Sequence, residues 1–470
     1  MKKLLAILLA LSLLMVCVPA MAEVDGAFKV PEGGYDGSEV TIVFANTMGT
    51  NLAPVLEEAI AAFEALYPNI HVEYDNSSTN YDVVRDNIIT QAQAGNEPNM
   101  AYAYPDHVAR YNTGYYVAPL DNLIDSQIEV TRADGTTEIL GLTQEQKDDF
   151  IQGFYREGAV FGDGLMYSLP MQKSTELLYY NKTFFDENGI EVPTTWDELE
   201  AVCAKIKEID PNSIPLGYDS SSNWFITMCE QYGSPYTSAT GDHFLFDNEQ
   251  NHAFIKKFVE WYGLGYVTTQ QLYGAFTSGL FTSTDTTKSY MSIGSSAGAT
   301  YQRPAANSDG SYPFEVGIAT IPQVDPSNPK VISQGPNVCI FNKSNPQEVV
   351  ASWLFLKYLT TDTTFQATFS NVSGYMPVIK SVYNNEAYAA FLASADGGNG
   401  IAALSVKKSL EQEAAYYTSP AFEGSTDARD QVGALINKCL VDANVEGADV
   451  DAVIADAFEE AVEECEYANP

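Results

Sequence analysis

The chain has 470 residues, with 62 Asp and Glu against 24 Lys and Arg, for a formal net charge of −38. A chain this acidic repels phosphate backbones and anionic membranes at long range, which argues against nucleic acid as a partner. The length exceeds what one hydrophobic core usually serves and predicts two lobes or more.

Residues 1–22 carry Lys2 and Lys3, an apolar run from Leu4 to Val16, and Ala20-Met21-Ala22. That is the layout of a secretory signal cleaved after Ala22, too short to be a membrane span. Val16 precedes Cys17 where a lipoprotein signal wants a small residue, so lipidation at Cys17 is not expected and an exported protein is. Losing Lys2 and Lys3, with no acid removed, takes the charge from −38 to −40. Residues 23–38 are Gly-rich and unpatterned, a flexible leader. Val40 to Phe44 reads as a buried strand, and Leu52 to Leu66 as a helix ended by Pro68. A strand from Ile70 to Tyr74, a helix from Tyr81 to Ala94 and a strand from Met100 to Tyr104 follow. Alternation of this kind implies a parallel α/β lobe, whose ligand sits beyond the carboxyl ends of the strands. Those ends are Ala45-Asn46-Thr47-Met48 and Tyr104-Pro105-Asp106.

Leu165 to Leu199 packs a short apolar strand, a polar break at Lys173-Ser174-Thr175 and a second strand at Leu177 to Tyr180. A helix starts at the Thr195/Glu198 capping box and runs from Trp196 to Ile209. Asn223-Trp224-Phe225 reads as a loop. Helices are expected over Phe254 to Tyr262, Pro346 to Leu359, Val432 to Leu440 and Val450 to Cys465, and strands over Ser289 to Ile293 and Val316 to Ile321. No repeat and no single linker divides the chain, so the lobes should exchange segments.

Five cysteines lie beyond the signal: Cys203, Cys229, Cys339, Cys439 and Cys465. They lack metal or disulfide-scaffold spacing and read as small buried hydrophobes, with Cys439–Cys465 or Cys203–Cys229 as open bridging alternatives. Gly294-Ser295-Ser296-Ala297-Gly298 fits the GxSxG nucleophile elbow, but all four histidines (His71, His107, His243, His252) precede it, against that fold's order. Ser405-Val406-Lys407-Lys408 fits SxxK without its companion motifs. There is no HExxH, no His pair at helical ligand spacing and no phosphate loop after the first strand, so neither metal nor cofactor is signalled. Aromatic side chains among small polar residues stand out: Tyr102, Tyr104, Tyr111, Tyr115, Trp224, Tyr236, Tyr301 and Tyr375. Flat rings beside Asp, Asn and Arg suit the C–H faces and hydroxyls of sugars.

The Leu165–Leu199 unit, FEALYPNIHVEY from Phe63, GYYVAPLDNLID from Gly114, FTSGLFTS from Phe276 and EVGIATIPQVD from Glu315 occur in order, followed by NPQEVVASWLFLKYLTTD from Asn345 and VSGYMPV from Val372. Together they resemble the bacterial extracellular solute-binding proteins, family 1, over nearly the whole chain. The resemblance implies an α/β, periplasmic-binding-protein-like fold, with two lobes, a multi-segment hinge and the ligand cleft between them. It implies lobe 1 over 39–173 plus 337–377 and lobe 2 over 174–336 plus 378–470. Crossings would fall near Lys173–Tyr180, Ile332–Ile340 and Val378. It further implies a monomer that is not an enzyme, capturing a small-molecule solute, a sugar first of all, for the permease subunits of an ABC importer. The ligand contacts it implies are Asn46, Thr47, Asp106, Ser174, Asn223, Trp224, Ser295, Ser296, Gly335, Tyr375 and Arg429. Ala45 and Ser296-Ala297 stand where many members carry tryptophan, and Asn99 replaces a common aspartate. Those losses argue against long oligosaccharides. A glycerol phosphate derivative paired with Arg429, or a secreted carbohydrate hydrolase, remain the alternatives.

Overall fold

The computed structural model describes residues 23–397 and 400–469, so the signal and Cys17 lie outside the described residues. In chain order the strands are β1 (Val40–Ala45), β2 (Ile70–Asp75), β3 (Met100–Ala103), β4 (Glu129–Thr131), β5 (Thr137–Ile139), β6 (Ser168–Pro170) and β7 (Glu176–Asn181). They continue as β8 (Leu216–Tyr218), β9 (Val267–Thr269), β10 (Met291–Ser295), β11 (Val316–Thr320), β12 (Val331–Ile332), β13 (Asn337–Ile340) and β14 (Tyr416–Tyr417).

Two five-stranded sheets organise the molecule, in the orders β2-β1-β3-β13-β6 and β11-β7-β10-β8-β9. In the first, β1 runs parallel to β2 and β3, and β13 inserts antiparallel between β3 and β6. In the second, β8 runs parallel to β9 and β10, whereas β7 is antiparallel to both of its neighbours. Each sheet is apolar because helices cover it. Ala53–Leu66, Pro346–Thr361 and Thr363–Ser373 bury Phe63, Trp353, Phe355 and Phe369 against the first sheet. Ser221–Tyr232, Glu249–Gly263, Ser425–Asp442 and Val450–Ala468 bury Trp224, Phe258, Ile436 and Phe458 against the second.

The chain first passes between the sheets from β6 to β7, through Met171–Thr175. It passes again from β12 to β13, where Ser174 and Gln334 exchange backbone hydrogen bonds at 2.7 and 3.0 Å. Gly335 has φ +94°, and a Cβ there would lie 2.5 Å from the Gln172 carbonyl, so the two passages touch because this residue has no side chain. Between them sits Lys173, fully buried, donating to Glu157 at 2.8 Å, the Gly335 carbonyl at 2.8 Å and Asn337 Oδ1 at 3.3 Å. Ser333 Oγ donates to the same Glu157 at 3.0 Å.

Two expectations need correction, and one alternative left open by the sequence closes. Residues 23–38 dock on the first lobe: Phe28 N donates to the Pro119 carbonyl, Gln347 Nε2 to the Gly34 carbonyl, and Phe28, Val30 and Tyr35 pack on the core. The third passage does not fall near Val378, because Val378, Ile379, Val382 and Tyr388 join the first core. Residues 378–393 pack with the first lobe, and the helix Ile401–Glu411 touches both sides, with Val406 in the first core and Ile401 beside Leu177, Tyr179 and Ile318. Neither candidate disulfide is present: all five cysteines beyond the signal are free and buried.

Candidate functional site

The seam between the sheets opens into two chambers. The first, about 640 Å³ of atom-free space, is walled by Tyr104–Asp106, Glu157, Tyr236, Ile332–Gln334, Thr418–Pro420, Ser425 and Arg429. The second, about 1620 Å³, is walled by Gly49–Leu52, Asp219, Phe276, Ser295, Ala297, Gly298, Thr300–Gln302 and Val372–Tyr375, with Gly374 omitted from the wall. Residues from both lobes line each chamber.

A buried polar network lies between them. Glu176, at the start of β7, accepts from Tyr218 Oη at 2.6 Å and from Asn223 Nδ2 at 2.9 Å. Asn223 Nδ2 also donates to Gln334 at 2.9 Å, and Arg429 donates to Asn223 Oδ1. Burial pushes the Glu176 carboxyl up from 4.5 to about 7, against the opposing pull of Tyr218, Asn223 and Arg429. Burial also works against the Arg429 cation, and Asp106 foremost among its neighbours offsets this, leaving its pKa above the ordinary value. Desolvation likewise raises the Asp219 carboxyl, although Thr277 N and Oγ1 donate to its Oδ1 at 2.7 and 2.8 Å.

The two sides of the seam also meet directly. Thr426 Oγ1 donates to Asp106 Oδ2 at 3.2 Å, and Arg110 lies 3.4 Å from Asp427. These contacts join the helix Pro105–Asn112 of the first lobe to the helix Ser425–Asp442 of the second. Tyr81 and Tyr375 hydroxyls lie 3.0 Å apart on the first-lobe side, where Tyr81 meets Tyr102 and Tyr104 edge-on.

Tyr104 and Tyr236 of the aromatics singled out from sequence line the first chamber and Tyr301 the second; of the eleven ligand contacts the resemblance implied, Asp106 and Arg429 reach the first chamber, and Ser295 and Tyr375 the second. Thr47 is half-buried beside the Tyr81 hydroxyl. Asn223 stands behind Arg429. The others do not line either chamber. Asn46 is fully buried and folds back on its own turn, donating to the Phe44 carbonyl and accepting from Met48 N. Ser174 and Gly335 form the passages, and Ser296 Oγ accepts from Thr175 N. Trp224 is the clearest correction. It is not in a loop: Ser220 caps a helix over Ser221–Tyr232, and the indole stacks on Tyr218 and Phe258 at 5.0 and 3.8 Å inside the second core. Glu157, Glu176, Asp219, Phe276 and Gln302 were missed, since each becomes significant only through partners far away in sequence.

Among the described residues there is no group of three or more His, Cys, Asp or Glu placed to hold a metal ion, and no helix long and apolar enough to cross a membrane. Two α/β lobes, joined by more than one passage and enclosing a polar seam, define a capture protein of the two-lobed class. The chain belongs to the bacterial extracellular solute-binding proteins, whose sequence profile matches residues 58–393. It is 28% identical over 229 residues to the sn-glycerol-3-phosphate-binding periplasmic protein UgpB of Rhizobium meliloti (strain 1021), covering 47% of this chain and 51% of that one. It is 45% identical over 66 residues to the multiple sugar-binding protein of Streptococcus mutans, covering 14% and 15%. The matched parts thus span about half or less of these relatives' lengths. The fold is shared with UgpB from Mycobacterium tuberculosis in complex with glycerophosphocholine (TM-score 0.69, 17% identity, 91% of this chain and 99% of that one). It is also shared with maltose-bound T. maritima MalE3 (TM-score 0.67, 17% identity, 90% and 99%).

Proposed function

We propose that the protein captures a carbohydrate in the seam between its lobes, without catalysis, and delivers it to the permease of an ABC importer. Membership of the solute-binding family supports the role, and the paired passages supply joints about which two rigid lobes can close on a solute. The observation that carries the choice of solute is the charge of the seam. Among the described residues lining the two chambers, Arg429 is the single cation, and Asp106 faces it while Asn223 takes up its guanidinium. A phosphate entering there would compete with Asp106, the carboxylate that already serves the arginine. A neutral, polyhydroxylated solute meets acceptors and hydroxyls throughout. Glycerol phosphate derivatives remain the second reading, favoured by the relatives named above.

Thermal unfolding with a saccharide panel, sn-glycerol-3-phosphate and glycerophosphocholine tests the choice. A ligand present at 100 times its Kd stabilises the folded state by about 2.7 kcal/mol. A rise in Tm with a saccharide and none with the phosphates is expected; the reverse pattern overturns the carbohydrate reading.

A further inference from the structure

Resting on the carbohydrate reading above, we propose that Asp219, Phe276, Tyr301 and Gln302 form a second-lobe platform for a neutral oligosaccharide of two or more rings. The ring faces lie on Phe276 and Tyr301, and the hydroxyls donate to Asp219 and Gln302.

Phe276 and Tyr301 are 63% and 76% exposed, and both belong to the wall of the larger chamber. Two large rings left exposed on the wall of one chamber offer stacking surface to a solute that enters it. Phe276 is held in place from below, since Asp219 Oδ1 receives both donors of the next residue, Thr277. Tyr301 rides on the short 3₁₀ segment Ser296–Gln302 that follows β10.

The polar half of the platform points to hydroxyl donors. Gln302 is 2% exposed and lines the chamber, yet its Oε1 has no hydrogen-bond partner among the described residues. A buried amide oxygen in that state is costly until a donor arrives. Asp219 Oδ2 lies close by: a Cβ built on Gly294 would meet that oxygen at 2.5 Å and Gln302 Nε2 at 3.1 Å. The missing side chain at Gly294 is therefore what lets the carboxylate and the amide sit together against β10. Two acceptors and no lysine or arginine among the lining residues suit O–H donors and repel anions. The chamber's cavity volume of about 790 Å³ lies in the upper part of the roughly 300–1,000 Å³ range of small-ligand pockets, room for more than one ring. The platform also supplies stacking surface that Ala45 and Ser296-Ala297 do not.

Isothermal titration of the full chain with maltotriose, cellotriose, raffinose and glucose tests the platform. At least one trisaccharide is expected to bind more tightly than glucose. Phe276→Ala and Tyr301→Ala should each weaken it by about 2- to 13-fold, while Phe276→Trp keeps it. Gln302→Leu should weaken it by a similar factor. Tyr467→Ala, which removes a ring 86% exposed and outside the chamber, should change nothing. Unchanged Tm values for the Phe276 and Tyr301 variants exclude unfolding as the cause. Trisaccharide binding that ignores all three platform losses overturns the platform and leaves the carbohydrate reading intact. Equal affinity for glucose overturns the multi-ring part. A protein that binds no saccharide at all overturns both.

Discussion

Glu176→Gln should remove a pH dependence from the folding stability. The Glu176 carboxyl is buried in the seam and its pKa is pushed from 4.5 to about 7, chiefly by loss of water. Between those values the folded state holds a proton that the unfolded chain has released, so stability falls as pH rises through the window. At 1.36 kcal/mol per unit the complete loss is about 3 kcal/mol, of which about 2.5 kcal/mol falls between pH 5 and pH 8. Glutamine mimics the protonated carboxyl, can still accept from Asn223, and can donate to a reoriented Tyr218 hydroxyl. It does not titrate. Equilibrium urea unfolding of both proteins at pH 5, 6.5 and 8 isolates the effect, because the other carboxylates cancel in the difference. The stability of the wild-type protein relative to the variant should drop by about 2.5 kcal/mol from pH 5 to pH 8. A difference that stays flat, or rises, would refute the argument that desolvation outweighs Arg429 at this site.

The passage lysine gives a second test. Glu157→Gln leaves Lys173 buried without its counter-charge and should lower stability by about 3–5 kcal/mol, whereas Lys173→Met with Glu157→Leu should recover most of it; urea unfolding of the three variants reads this, and a double variant as weak as the single one would contradict the charge argument. Trp224→Ala should cost about 3–5 kcal/mol of stability through the cavity it opens. Its solute affinity, titrated below its lowered Tm, should stay within about twofold of wild type; a loss of affinity at unchanged stability would return the indole to the binding surface.

Much of the fold was legible locally. The helix Trp196–Ile209 was placed to the residue because its capping box and its apolar period agree, and Glu198 does bond back to Thr194 and Thr195. The strands β1, β2 and β11 fell within a residue of expectation for the same reason: propensity and burial coincide there. Asn223-Trp224-Phe225 failed because serines before it look like a loop, while Ser220 is in fact an N-cap. The site was legible only in part. Asp106 and Arg429 carry recognisable chemistry, but nothing local distinguishes Glu176 or Gln302 from the other acids and amides; what sets them apart is burial beside Tyr218 or under Gly294, which depends on strand order.

The insertion of β13 between β3 and β6 also bears on how the chain is made. β6 has no other neighbour in its sheet, so a nascent polypeptide of 336 residues has synthesised most of the first lobe and cannot yet complete it. The second lobe waits longer still, since Ile436, Phe458 and Cys465 belong to its core. Pairings this distant in sequence slow folding and keep unfinished edges open to other chains. Neither lobe can therefore be cut out as one piece of chain that ends before the other lobe begins.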